Sequence, residues 1–118
     1  MGTGKGYGKT ILFGEHFVVY GLPSIVSALG AYTTADVKVV KGNGWTVNDQ
    51  RPATPGYKEQ KYVDAMQSIA NIINHLKVEI ENQRLEISFA GDLIAASGVG
   101  ASAAQCTSLA RALSETFN

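Results

Sequence analysis

The sequence predicts an α+β fold, in which strands form a sheet that helices cover. Residues 31–40 and 84–90 alternate apolar with polar side chains, which is the period of a strand with one buried face. Residues 58–76 and 103–117 repeat apolar side chains at three- and four-residue spacing, which predicts two amphipathic helices. Because neither a repeat nor a low-complexity tract interrupts these patterns, we expect one domain over residues 1–118.

Shorter apolar runs predict the remaining strands and turns. Residues 11–13 favour a strand that ends at a glycine turn. The apolar block 17–20 is followed by a turn at 21–23, from which the chain re-enters the sheet. After a short predicted strand at 45–47, the stretch up to residue 56 contains two prolines and is the most loop-like part of the sequence. Residues 45–56 could act as a lid over a ligand, but we expect a surface excursion.

Composition excludes several classes of partner. Lys and Arg together number 10, as do Asp and Glu, so the chain has no overall field to hold nucleic acid or an anionic membrane. No apolar stretch approaches the ~20 residues that cross a bilayer, and the N-terminus lacks a secretory signal pattern. The one cysteine, Cys106, has no internal disulfide partner. It belongs to the apolar stripe of the last predicted helix, with Leu109, Ala110, Leu113 and Phe117, and we expect it to be buried. These features predict a cytoplasmic protein.

The most chemically informative stretch is a loop of small residues at 95–104, just before the last predicted helix. Gly98 and Gly100 let the backbone approach a ligand closely, and a helix that starts behind them offers unpaired N–H groups and a positive dipole end. Ser102 lies where a hydroxyl caps the helix or turns toward a Mg²⁺ ion held by phosphates. The pattern indicates a phosphate site, with a well-capped turn as the alternative.

The glycine-rich N-terminus, residues 3–10, looks like a Walker A loop but has the wrong spacing, because Thr3 stands where that motif needs a glycine. Its context is also wrong, since these glycines precede a strand rather than open a helix. Lys9 enters that strand, where an ammonium could bind an anion or lower the pKa of a hydroxyl; a solvated lysine is the alternative. Glu15 and His16 follow in a glycine turn without metal-site spacing, and by themselves they favour a structural role.

Residues 8–21, GKTILFGEHFVVYG, closely resemble the first motif of the mevalonate kinase family, a branch of the GHMP kinase superfamily. That motif runs Gly-Lys-x-x-Leu-x-Gly-Glu-His and continues with an apolar x-Val-Val-x-Gly segment. Residues 96–103 are similar to the second GHMP motif, Pro-x-x-x-Gly-Leu-Gly-Ser-Ser-Ala, and the two motifs occur in the family's order. The resemblance implies the GHMP kinase N-terminal domain, a mixed, antiparallel-rich sheet covered by helices.

The resemblance also implies a reaction: ATP-dependent phosphorylation of mevalonate to 5-phosphomevalonate in isoprenoid precursor synthesis, with Mg²⁺ as cofactor. Lys9 matches the lysine that contacts the substrate hydroxyl and assists its deprotonation, and Glu15 and His16 match the turn that contributes to the mevalonate pocket. The residues that match the ATP phosphate loop are Ser97, Gly98, Val99, Gly100, Ala101 and Ser102, with Ser102 expected to hold Mg²⁺. Because the family usually has serine at position 101, only the backbone of Ala101 is expected to bind.

Several parts that the family needs for catalysis do not match this chain: the base aspartate, a further metal-binding glutamate and a third glycine-rich motif. We therefore expect an amino-terminal ATP-binding domain without its C-terminal domain, which transfers phosphate poorly on its own. The alternatives are another GHMP kinase, such as phosphomevalonate kinase or galactokinase, or a nucleotide-binding module that has lost its chemistry. The expected partners are ATP and mevalonate, with neither nucleic acid nor membrane, and a homodimer stays open.

Overall fold

The computed structural model describes residues 1–95 and 100–117, and it confirms the α+β fold. The elements are β1 (Gly2–Phe13), β2 (Ile25–Val40), β3 (Trp45–Asp49), α1 (Tyr57–Gln60), α2 (Tyr62–His75), β4 (Arg84–Gly91) and α3 (Ala101–Phe117), with a 3₁₀ turn at Val18–Tyr20. Within these residues the strands form one sheet in the order β1-β2-β4-β3. β2 runs antiparallel to both β1 and β4, and β3 runs parallel to β4, so the sheet is mixed and antiparallel-rich, as expected.

The most regular sequence patterns form the predicted elements. β4 covers the alternating stretch 84–90, and Leu85, Ile87 and Phe89 are fully buried on one of its faces. α2 lies within the predicted helix 58–76 and buries Ile69 and Ile73, which are four residues apart and therefore on one face. Helix and strand periodicity located these elements because one face of each packs into a single core.

β1 begins at Gly2 rather than near residue 11, and its glycines explain the difference. Gly2, Gly4 and Gly6 are buried, and they alternate with exposed residues such as Lys5. A Cβ atom added to any of the three would collide with a backbone carbonyl of α3, at Ala112, Ser108 and Ala104 respectively. Glycine is depleted from ordinary strands, so this part of β1 does not look like a strand in the sequence.

The face of α3 that meets the sheet is made largely of small residues, which differs from the stripe that the sequence predicts. Leu109 and Leu113 are buried as expected, but Cys106 is half-buried and Phe117 is 41% exposed. The helix turns its small side chains toward the glycine face of β1, because only such a pair of surfaces allows the two backbones to approach closely. The buried residues of α3 are Ala101, Ala104, Gln105, Ser108, Leu109, Ala112 and Leu113.

The main core lies between the sheet and the helices α2 and α3. Its buried members come from β2, β4 and both helices: Ala35, Val37, Ile69, Ile73, Leu85, Ile87, Phe89, Leu109, Ala112 and Leu113. Trp45 and Val47 of β3 pack against this core from the edge of the sheet. Among residues 1–95 and 100–117, no helix is long and apolar enough to cross a membrane.

We predict that Gly6→Ala destabilises the fold by about 1–3 kcal/mol, because the added methyl group forces α3 away from β1. Gly30→Ala is the matched control on β2, since a Cβ atom there meets nothing within 4 Å. Chemical denaturation of both variants measures the difference. Equal stability of the two variants would contradict a close contact between the glycine face and α3.

Candidate functional site

The N-terminus of α3 has the geometry of an anion site. Gly100 adopts φ 78°, a left-handed conformation that favours glycine, and α3 begins at the next residue. Ala104 donates its N–H to the Gly100 carbonyl at 2.9 Å, so the N–H groups of residues 101–103 have no acceptor within the helix. These N–H groups and the positive end of the helix dipole favour a bound anion.

The six residues that match the phosphate loop are only partly described. Ala101 is buried at 6% exposure, whereas Ser102 is exposed in the first turn of α3. The Ala101 side chain is therefore inside the fold, and the Ser102 side chain is at the surface. Ser97, Gly98 and Val99 lie outside the described residues.

Lys9 lies directly against this helix terminus. A Cβ atom on Gly100 would be 3.0 Å from Cγ and 3.4 Å from Cε of Lys9. The β1–β2 register shifts between the pairs Tyr7–Tyr32 and Lys9–Ala28, and irregularities of this kind commonly re-aim side chains next to functional sites. Although 91 positions separate them in the sequence, Lys9 and Gly100 are therefore neighbours, and a Cβ atom at position 100 would crowd the lysine stem.

Glu15 and His16 lie beyond the end of β1, in a turn, and both are exposed. Gly14 makes this turn with φ 88°, and its carbonyl accepts the N–H of Val18 at 3.0 Å. Phe13, the last residue of β1, is four residues past Lys9, or about 13 Å along an extended strand. The structure thus brings Lys9 to Gly100 at the start of α3, and it places the Glu15–His16 turn at the far end of the same strand.

A cleft of about 820 Å³ opens beside the start of α3. It is bounded by β3, by the helices α1 and α2, and by Ser102 and Gln105 of α3. Its polar and aromatic lining includes Trp45, Asp49, Arg51, Tyr57, Lys58 and Lys61. The surface excursion that we expected at residues 45–56 is therefore wrong for the first half of this segment. Residues 45–49 form the strand β3, and together with Arg51 they form a wall of the cleft.

The strongest polar interaction in this wall joins Asp49 to Arg51. Both carboxylate oxygens accept hydrogen bonds from the guanidinium, at 2.9 Å from Nε and 2.8 Å from Nη2. Lys58 adds a third group, with Nζ 2.9 Å from the Asp49 carbonyl oxygen. Burial alone would raise the pKa of Asp49, but the hydrogen bonds and charge of Arg51, with the charge of Lys58, hold that pKa below its ordinary value.

Sequence reasoning missed this cluster because an Asp and an Arg two positions apart before a proline have no specific signature. Arg51 follows the five-residue strand β3, which is too short for its alternation to predict that Arg51 is only 4% exposed.

Cys106 is half-buried rather than buried as expected. Burial raises the pKa of its thiol, and the positive charge of Arg51 opposes this shift. Within the described part of the chain, no group of three His, Cys, Asp or Glu residues could hold a metal ion.

Comparison with known proteins decides the family. The structure of L. major mevalonate kinase, determined in complex with R-mevalonate, superposes on 99% of this chain with a TM-score of 0.93 and 42% sequence identity. The chain belongs to the mevalonate kinase family. A mevalonate kinase from Thermococcus sibiricus is 29% identical over 92% of the chain, and one from Pyrococcus furiosus is 25% identical over 91%. No family model matches the chain.

The match to mevalonate kinases covers only part of their length. The chain spans 37% of the T. sibiricus relative and 36% of the L. major protein. The family resemblance that the two motifs indicate is confirmed, and so is the fold that it implies. Most of the length of these mevalonate kinases lies outside the part that this chain matches.

We predict that Asp49→Asn destabilises the protein by about 2–3 kcal/mol at neutral pH, because it leaves Arg51 buried without its carboxylate. The folded-state pKa of Asp49 is below its ordinary value of 3.8, so its stabilising effect is complete above that pH and is lost as pH falls through the lower, folded-state pKa. Denaturation from about pH 5 to about pH 2 measures this loss, which the variant should not undergo.

Asp64→Asn is the matched control, because its carboxylate is 79% exposed and 4.0 Å from Lys61. It should change stability by less than about 0.5 kcal/mol. An Asp49→Asn variant as stable as this control would contradict the role given to the Asp49–Arg51 pair.

Proposed function

We propose that this chain is the ATP-binding, amino-terminal part of a kinase that transfers the γ-phosphoryl group of ATP to the 5-hydroxyl of mevalonate. In this reaction the hydroxyl oxygen would form a bond to the γ-phosphorus, the bond from that phosphorus to the β-phosphate oxygen would break and release ADP, and the hydroxyl proton would pass to the family's base aspartate. The contact between Lys9 and Gly100 carries the proposal, because it joins the lysine of one motif to the phosphate loop of the other. The 42% identity to a mevalonate kinase that binds R-mevalonate supports this substrate.

The ATP phosphates would bind at the N-terminus of α3. The N–H groups of residues 101–103, which have no acceptor within the helix, and the helix dipole suit a polyphosphate there. The adjacent cleft has room and aromatic surface for the nucleoside. Phosphoryl transfer depends mainly on positioning and on neutralising charge. An N-terminal helix end that holds the phosphates would therefore supply part of both.

Mg²⁺ fits this site only together with the nucleotide. The described residues provide no carboxylate cluster for a metal ion, but magnesium is commonly held by one or two side chains and by substrate phosphates. The exposed hydroxyl of Ser102 at the helix mouth is suited to such a shared site. When bound, the ion would neutralise charge on the phosphates.

Lys9 would place its ammonium between the phosphate loop and the substrate hydroxyl. A positive charge there favours the deprotonated hydroxyl and stabilises charge that develops on the transferred group. Glu15 and His16 would contribute to the mevalonate pocket from the turn beyond β1. The base aspartate, the further metal ligand and the C-terminal domain would come from sequence beyond the part that this chain matches, and a cytoplasmic location stays a prediction.

We predict that Lys9→Met in the full-length protein lowers kcat roughly 10²- to 10³-fold, because the charge near the transferred group is lost. Lys5→Met is the matched control, since Lys5 lies on the same strand but stacks on Tyr32, with Nζ 4.6 Å from the ring centroid. Coupled ATP turnover with mevalonate measures both variants. Equal activity of the two would contradict the role of Lys9, and preferred turnover of phosphomevalonate or galactose would contradict the substrate.

We predict that Ser102→Ala weakens MgATP binding roughly tenfold and leaves metal-free ATP binding unchanged, because the lost hydroxyl contacts the ion. Thr107→Ala removes another exposed hydroxyl from α3 and should change neither affinity. Nucleotide titration with and without Mg²⁺ measures the difference. A Ser102→Ala variant that loses the same affinity under both conditions would indicate a cap or a phosphate contact instead.

A further inference from the structure

The wall of the cleft beside Asp49 has too few acceptors for its cationic groups. Arg51 occupies both oxygens of the Asp49 carboxylate and also donates its backbone N–H to one of them at 3.0 Å. The remaining guanidinium nitrogen, Nη1, is buried and has no hydrogen-bond partner among the described residues. Because buried donors are nearly always paired, this nitrogen is a donor for which the described residues of the wall supply no acceptor.

Lys58 is the second cation on the same carboxylate, and it is the less well matched of the two. Its Nζ donates to the Asp49 carbonyl oxygen at 2.9 Å but is 3.7 Å from Oδ1, beyond a good hydrogen bond. The carbonyl contact fixes the ammonium in the cleft without neutralising its charge. Since Arg51 already uses the carboxylate, Lys58 keeps an unmatched positive charge.

The charges of the whole cleft support this conclusion. Its lining includes three cationic and two acidic side chains, so one positive charge is in excess. Among the described residues, Lys61 is the one cation paired with Asp64, at 4.0 Å and exposed to solvent, whereas Lys58 shares Asp49 with Arg51. The Lys58 side chain is only 35% exposed, and partial burial makes its charge less screened than a surface lysine's.

We propose that Lys58 is a nucleotide-binding residue that contacts a phosphate of ATP across the cleft from the N-terminus of α3. This inference rests on the proposed function, and it adds a residue to which neither of the two sequence motifs points. Asp49 acts as a positioning residue, because its carbonyl oxygen holds the lysine while its carboxylate is occupied by Arg51. The phosphates are thereby held from two sides, by helix N–H groups and by an ammonium.

Lys58→Met and Lys61→Met in the full-length protein test this proposal as a matched pair, since both lysines line the cleft but only Lys58 lacks a carboxylate of its own. Binding of ATP, of inorganic tripolyphosphate and of adenosine is measured for each variant. Lys58→Met should weaken ATP and tripolyphosphate about tenfold and change adenosine less than twofold. Lys61→Met should change all three less than about twofold.

Lys58→Arg should restore ATP affinity, and this separates a charge contact from a structural effect of losing the lysine. The inference would be overturned if Lys58→Met and Lys61→Met had the same effect, or if Lys58→Met lowered the affinity for adenosine as much as that for ATP. Neither result would contradict the proposal that the protein binds ATP. A wild-type protein that binds no ATP would instead overturn the proposed function and this inference with it.

Discussion

The direct contact between the backbone of α3 and the glycine face of β1 is the constraint on which the rest of the structure depends. Because Gly2, Gly4 and Gly6 have no side chains, the carbonyl groups of the helix lie against the strand itself. Side chains at these three positions would hold the helix farther away. This close approach places the N-terminus of α3 next to Lys9, which follows the glycines of β1. The packing of α3 on β1 therefore also assembles the candidate site.

The two sides of the helix terminus differ in character, and the difference suits a nucleotide. On one side, Lys9 is a cation beside Gly100, whose left-handed conformation favours glycine. On the other side, the cleft combines aromatic surface with the Asp49–Arg51 pair and Lys58. The cleft thus combines cationic groups with apolar surface from Trp45, Val47 and Met66, a combination that suits a phosphate tail joined to a ring system.

Much of the fold follows from the sequence wherever a single face is buried. β4 and α2 were predictable because their apolar residues repeat at the strand or helix period. The first half of β1 was not, because its buried residues are glycines, which carry no apolar signal. The buried face of α3 was partly mispredicted for the same reason, since small residues rather than Cys106 and Phe117 meet the sheet. Long-range contacts such as Asp49–Arg51–Lys58 depend on where β3 joins the sheet, which local patterns do not determine.

The family motifs predicted the site residues without locating them in space, and the fold places two of them, Lys9 and Gly100, together. A crystal structure of the full-length protein with Mg²⁺ and a non-hydrolysable ATP analogue tests this account most directly. We expect the phosphates on the N–H groups that open α3, with the ammonium of Lys9 beside the γ-phosphate. A nucleotide bound elsewhere, or a Lys9 side chain turned away from it, would contradict the account.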